Sequence, residues 1–177
     1  MKGNKGEWSE LYVLLRLLAY GRLYAADENV NKLEDVYFPI LKILRNERQD
    51  KKLEYHIEER EIELFLNDSL HRKISKERLQ SEAILLYQRI LAGENRAFEI
   101  QESEDIISEL ECERLAAPST DKTDISMQVH DIHTGFDPIC GFSIKSELGN
   151  APTLLNASKA TNFVYKINNT IYLHTKC

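Results

Sequence analysis

The side chains best suited to chemistry lie on two short stretches. Thr123-Asp124-Ile125-Ser126-Met127-Gln128-Val129 and Ile139-Cys140-Gly141-Phe142-Ser143-Ile144-Lys145 alternate in polarity, the period of half-buried strands. Thr134-Gly135 between them suits the tip of a hairpin. With the tip there, Asp124 stands opposite Lys145, Ile125 opposite Ile144, Met127 opposite Phe142 and Val129 opposite Cys140. Both apolar sets then share one face, because strand side chains alternate. A bulge or a longer loop would shift this pairing. A carboxylate beside an ammonium at the open end of a ribbon allows two readings. One is a cross-strand ion pair worth under about 1 kcal/mol at a surface. The other is an Asp124 carboxylate that holds Mg²⁺ and a Lys145 amine beside the attacking water of phosphodiester hydrolysis, where a metal offsets developing negative charge.

A second carboxylate has to come from elsewhere in the chain. Residues 6–20 read as a helix, with Gly21 as its natural stop. At about 100° per residue, Glu10 projects with Leu14 and Leu17, Glu7 falls near Leu14 and Leu18, and Ser9, Tyr12 and Arg16 occupy the opposite arc. Acids on an inward face are costly unless a cation meets them. In the first turn they also favour the helix dipole. Glu147, next to the hairpin, is a third source.

The remaining elements must hold these groups in place. A second helix is expected over about 30–46, bent or restarted at Pro39, which has no N–H to donate. Short strands follow at 53–57 and 61–66. Leu79, Ala83, Leu86 and Ile90 mark a helix over 75–92, capped by Ser75 and closed by Gly93. A further helix is expected over about 103–115. After the Pro118-Ser119-Thr120 loop the chain turns strand-rich, with strands at 124–131, 139–145, 162–167 and 170–174, the last two joined at Asn168-Asn169. This order, a mainly helical part over 1–117 and a hairpin-bearing part over 118–177, predicts one domain of the α/β (α+β) class. Its expected core is a mixed central sheet with flanking helices.

Composition limits the partners. The chain has 177 residues, 42% of them hydrophobic and 29% charged, the balance of a protein with a real core. No apolar run is long enough to span a bilayer, and the basic N-terminus lacks the apolar stretch of a signal peptide. Three widely spaced cysteines form neither a disulfide framework nor a zinc motif, which fits a reducing cytoplasm. The net charge of -6 does not favour nucleic acid, whose phosphates call for Lys and Arg. A local basic rim would suffice. Lys42, Arg45, Arg48, Lys51 and Lys52 read either as such a rim or as a solvated face. His130 and His133 read more simply as exposed side chains than as a metal pair.

The Asp124, hairpin and Ser143-Ile144-Lys145 arrangement resembles the PD-(D/E)xK nuclease motif. More narrowly, two blocks resemble the HpaII-type restriction endonucleases. One is Asn4-Lys5-Gly6-Glu7-Trp8-Ser9-Glu10-Leu11-Tyr12 with Gly21-Arg22-Leu23-Tyr24-Ala25-Ala26-Asp27. The other is Gly141-Phe142-Ser143-Ile144-Lys145-Ser146 running on into Leu154-Leu155-Asn156-Ala157-Ser158 and Ala160-Thr161-Asn162-Phe163. The resemblance implies a restriction-endonuclease-like core and Mg²⁺-dependent cleavage of double-stranded DNA at a short palindrome, CCGG. It assigns the metal carboxylate to Asp124 and the catalytic lysine to Lys145. Two departures stand out: Thr123 replaces the motif's proline, and Ser143 its middle acid. A helix glutamate at the metal site, as the class often has, implies Glu10 as the replacement, and the Ile144 carbonyl completes the set. Asn156, Lys159 and Lys166 become DNA contacts, and a palindromic target implies a homodimer. The family's proteins are longer than this chain, so a truncated remnant that grips DNA without cutting is a second expectation. An acidic interaction module with a structural Asp124–Lys145 pair is a third.

Overall fold

The computed structural model describes residues 1–48, 51–118, 121 and 123–148. The strands expected at 162–167 and 170–174, the Asn168-Asn169 turn, and Asn156, Lys159 and Lys166 lie outside the described residues.

Helix α1 (Lys5–Tyr20) has ends fixed by local chemistry. Asn4 Oδ1 accepts from the Glu7 N–H at 3.1 Å, and Glu7 Oε2 accepts from the Asn4 N–H at 2.8 Å. This reciprocal capping box satisfies two donors that the helix itself cannot. At the other end Gly21 adopts φ 62° and returns its N–H to the Leu17 carbonyl, a left-handed stop open to glycine because it has no Cβ. Helix α2 (Lys76–Ala92) starts on the Ser75 cap and buries Leu79, Ala83, Leu86 and Ile90, as their spacing predicted. The two helices pack together, with the Tyr12 ring 5.2 Å from that of Tyr87. The arc of α1 opposite its main apolar face is therefore covered too, and Ser9 is buried.

The helices lie against a seven-stranded sheet. Its order is β6 (Ser69–Ser75), β5 (Glu61–Leu66), β4 (Lys52–Ile57), β3 (Lys32–Asn46), β8 (Ile125–Val129) and β9 (Ile139–Phe142), and β2 (Arg22–Ala26) pairs with the outer half of β3. A separate two-stranded ladder joins β1 (Lys2–Gly3) to β7 (Phe98–Glu99). The α+β class expected from the sequence is the one observed. The mixed pairing expected of the sheet is not seen among the described residues, where every ladder is antiparallel. Met127, Ile43, Tyr55 and Leu64 stand side by side across four strands, all of them buried. Removing the Met127, Ile43 and Leu64 side chains from water contributes about 1.5–3 kcal/mol each. Their sequence neighbours turn the other way, where Glu54 meets Lys42 at 2.8 Å and His56 at 3.0 Å.

Two expected helices are corrected. Residues 32–46 form β3, the longest strand, in place of a helix over 30–46. The run Val36-Tyr37-Phe38-Pro39-Ile40-Leu41-Lys42-Ile43 has no clean period. Pairing with β2, β4 and β8 decided its state, as tertiary context overrides weak propensity. Pro39 sits at the end of the β2 ladder opposite Arg22, where a missing N–H costs little. The helix expected over 103–115 is α3 (Glu104–Glu109) alone. Beyond it Glu111 takes φ 58°, and the following residues run without regular structure. No helix among the described residues is long and apolar enough to cross a membrane.

Candidate active site

The hairpin of β8 and β9 forms as expected, but in a different register. Ile125 pairs with Phe142 and Met127 with Cys140. The Asp131 N–H donates to the Phe136 carbonyl at 2.9 Å and the Gly135 N–H to the Asp131 carbonyl at 2.7 Å, so the loop is four residues, Ile132 to Gly135. The two-residue tip expected at Thr134-Gly135 is thus replaced by a longer loop centred one position earlier. The pairing slips by two residues, which preserves the faces and moves the partners. Asp124 does not stand opposite Lys145.

Asp124 instead closes the end of the ribbon. Its N–H donates to the Phe142 carbonyl at 3.0 Å. Its Oδ2 accepts from the Ile144 N–H at 2.6 Å, a charge-assisted bond that fixes the carboxylate on the segment carrying Ser143, Ile144 and Lys145. Ser143 and Lys145 are exposed. Among the described residues Lys145 makes no ion pair, so the structural Asp124–Lys145 pair is not formed.

Glu10 reaches this site from α1. Ser9 Oγ donates to the Lys5 carbonyl at 2.7 Å, which leaves the Ser146 hydroxyl to donate to Ser9 at 2.9 Å. That contact ties the segment after Lys145 to the turn of α1 that bears Glu10. Glu10 and Asp124 then line one small cavity of about 20 Å³ with Leu14, Ile43, Arg45 and Ile144. Burial pushes the Glu10 carboxyl up to about 7, and the Asp124 and Glu7 charges add to the rise. The Ala117 N–H and the Arg45 guanidinium oppose it. Glu7, spent in the capping box, makes no such approach, and Glu147 is exposed.

The donor set suits a small hard cation. Among the described residues no group of three or more His, Cys, Asp and Glu side chains could hold a metal ion. Magnesium does not need one, since it is commonly held by one or two carboxylates with several waters retained. Two carboxylates that line one small cavity, one with its proton affinity raised by burial, fit the carboxylate part of that requirement. A larger cavity of about 300 Å³ opens beside it, sharing Asp124, Arg45 and Ile125 and adding Lys52, Arg114 and Ser126.

The basic run does not form a continuous rim. Lys42 and Lys52 meet Glu54, Arg45 meets Glu47, and Lys51 meets Glu111. These cations belong to a strand and its turn, where alternate residues face opposite ways, and to no helix face. His130 Nδ1 pairs with Asp137 Oδ1 at 2.7 Å, and His133 is exposed. Arg45 and Ala117 carried no signal of their own in the sequence. One was a member of the charge run, the other a loop alanine.

The sequence matches the HpaII restriction endonuclease family over residues 4–176. It is 45% identical over 170 residues to the Type II restriction enzyme HpaII of Haemophilus parainfluenzae, covering 94% of this chain and 47% of that relative. The chain therefore spans about half the length of the curated relative it matches. No solved structure matches it.

Proposed function

This chain belongs to the HpaII restriction endonuclease family, and on that basis we propose that it performs the Mg²⁺-dependent hydrolysis of double-stranded DNA at CCGG. The observation that carries this reading is that Glu10 and Asp124, from α1 and from the hairpin, line one small cavity. Glu10, Asp124 and the Ile144 carbonyl would hold the metal. When bound, Mg²⁺ stabilises the developing charge on the phosphate and lowers the pKa of water.

The protein's own groups do the positioning. The Ile144 N–H fixes the Asp124 carboxylate at 2.6 Å, and Ser146 holds that segment on α1 through Ser9. The exposed Lys145 amine orients the attacking water. Water oxygen bonds to phosphorus, the bond to the 3′-oxygen breaks, and a proton ends on that oxygen, which leaves a 5′-phosphate and a 3′-hydroxyl. Ser143 in place of an acid leaves the second carboxylate to Glu10. A palindromic target fits a homodimer acting through two-fold symmetry in the cytoplasm, with Asn156, Lys159 and Lys166 as DNA contacts.

The test is cleavage of plasmid DNA rich in CCGG sites, with Mg²⁺ and with EDTA, beside Lys145→Ala. Discrete Mg²⁺-dependent fragments that vanish in the variant support the assignment. A folded protein that binds DNA tightly and never cuts it overturns the catalytic reading in favour of a DNA-binding one.

A further inference from the structure

Between α3 and β8 the backbone from Leu110 to Ala117 lies in no helix or strand. The Leu110, Glu111 and Cys112 N–H groups turn back to α3 carbonyls, and its carbonyls are held by side chains from across the fold. The buried Tyr55 hydroxyl donates to the Leu110 carbonyl at 2.8 Å. Lys51 Nζ donates to the Glu111 carbonyl at 3.0 Å. Arg45 donates to the Arg114 carbonyl, and Arg114 donates in turn to the Asn46 carbonyl at 2.7 Å. Buried Glu47 lies within ion-pair reach of both arginines. Leu110, Cys112 and Leu115 are buried beneath these bonds. Buried backbone groups demand partners, and here side chains of β3, β4 and the turn between them supply them.

The segment ends at the candidate site. The Ala117 N–H donates to Glu10 Oε2 at 2.9 Å, and no hydrogen bond reaches Oε1 among the described residues. One carboxylate oxygen is occupied by a fixed donor, and the other is left to a guest of the cavity. Arg45, which anchors this segment, also lines that cavity. One side chain thus couples the strap to the site.

We propose that the Leu110–Ala117 strap, anchored by Arg45, is a positioning element that fixes the Glu10 carboxylate for divalent-cation binding through the Ala117 amide. This rests on the reading of Glu10 as a metal ligand. Glutamate has three rotatable bonds. A donor on one oxygen removes rotamers that point elsewhere, and an outer partner of this kind is typically worth about 10–100-fold in metal affinity.

The test is the affinity of the full chain for Mn²⁺ alone, without DNA, read from the free-ion electron paramagnetic resonance signal. Glu10→Gln should weaken binding strongly. Ala117→Pro, which removes the single N–H, should weaken it about tenfold, in the range found when outer partners of metal ligands are removed. Ala117→Gly, the conservative variant that keeps the N–H, should restore it. Wild-type affinity in Ala117→Pro beside a loss in Glu10→Gln overturns the strap alone. Unchanged affinity in Glu10→Gln overturns Glu10 as a ligand and the strap with it. If Ala117→Pro does not fold, Arg45→Lys decides, because it keeps the charge and removes the fork that grips Arg114. Affinity within twofold of wild type there overturns the proposal.

Discussion

The amide of Ile144 donates to the carboxylate of Asp124 at 2.6 Å, so the end of one strand is locked to the segment beyond the other. In the register expected from the sequence Lys145 faced Asp124. In the structure the backbone of Ile144 meets Asp124, and Lys145 is free to point to solvent. The first carboxylate is thus joined through its Oδ2 to the main chain beside the lysine, which leaves the Lys145 amine available.

Substitution of Asp124 separates these two roles. Asp124→Asn keeps an acceptor for the Ile144 N–H and should fold nearly as well as wild type while losing cleavage. Asp124→Ala should lose cleavage and also cost about 1.5–3 kcal/mol, the worth of a hydrogen bond to a charged group. Urea unfolding of both variants checks this, and equal stabilities would contradict the assigned bond.

Lys145→Ala should change stability by less than about 0.5 kcal/mol, as is usual for an exposed side chain, and Lys145 makes no ion pair among the described residues. Plasmid cleavage should fall to background. A variant that unfolds would show that Lys145 carries structure, and one that still cuts would remove it from the chemistry.

Glu10 predicts a pH effect in metal-free protein. Its carboxyl is pushed from the ordinary 4.5 up to about 7, so between those values the folded state binds the proton more tightly than the unfolded chain. The stability it contributes is complete below about pH 4.5 and is lost as pH rises through about 7. Glu10→Gln has no such titration. With EDTA present, its melting temperature should therefore rise relative to wild type as pH goes from 4.5 to 8. A constant difference across that range would contradict the raised pKa.

Gly21→Ala tests the junction that turns α1 into β2. A Cβ there would meet Ile57 Cγ2 at 2.8 Å, on a backbone at φ 62°. The left-handed conformation alone costs a residue with a Cβ about 1–2 kcal/mol. The variant should be destabilised by at least that much in thermal unfolding and should still cleave at permissive temperature.

Local signals in the chain were sufficient wherever an element closes on itself. The Gly21 stop, the Ser75 cap, and the spacing of Leu79, Ala83, Leu86 and Ile90 marked α1 and α2 within the sequence, because caps and helical faces involve residues three or four apart. The alternation on either side of Thr134-Gly135 likewise gave the hairpin and its buried face. It did not give the register, since a slip of two residues leaves every side chain on the same face. That slip decided whether Asp124 met Lys145 or the Ile144 amide.

Residues 32–46 became a strand because β2, β4 and β8 offered ladders on both sides, none of which can be read from the run itself. The site depended on tertiary structure in the same way. Glu10 was a helix acid among several until Ser146 met Ser9 and Ala117 met Glu10 across the fold. The sequence by itself determined which residues could do the chemistry, because side-chain type is local. Only the packing of α1 against the sheet decided which carboxylates share one cavity, because burial and proximity arise between residues that are distant along the chain.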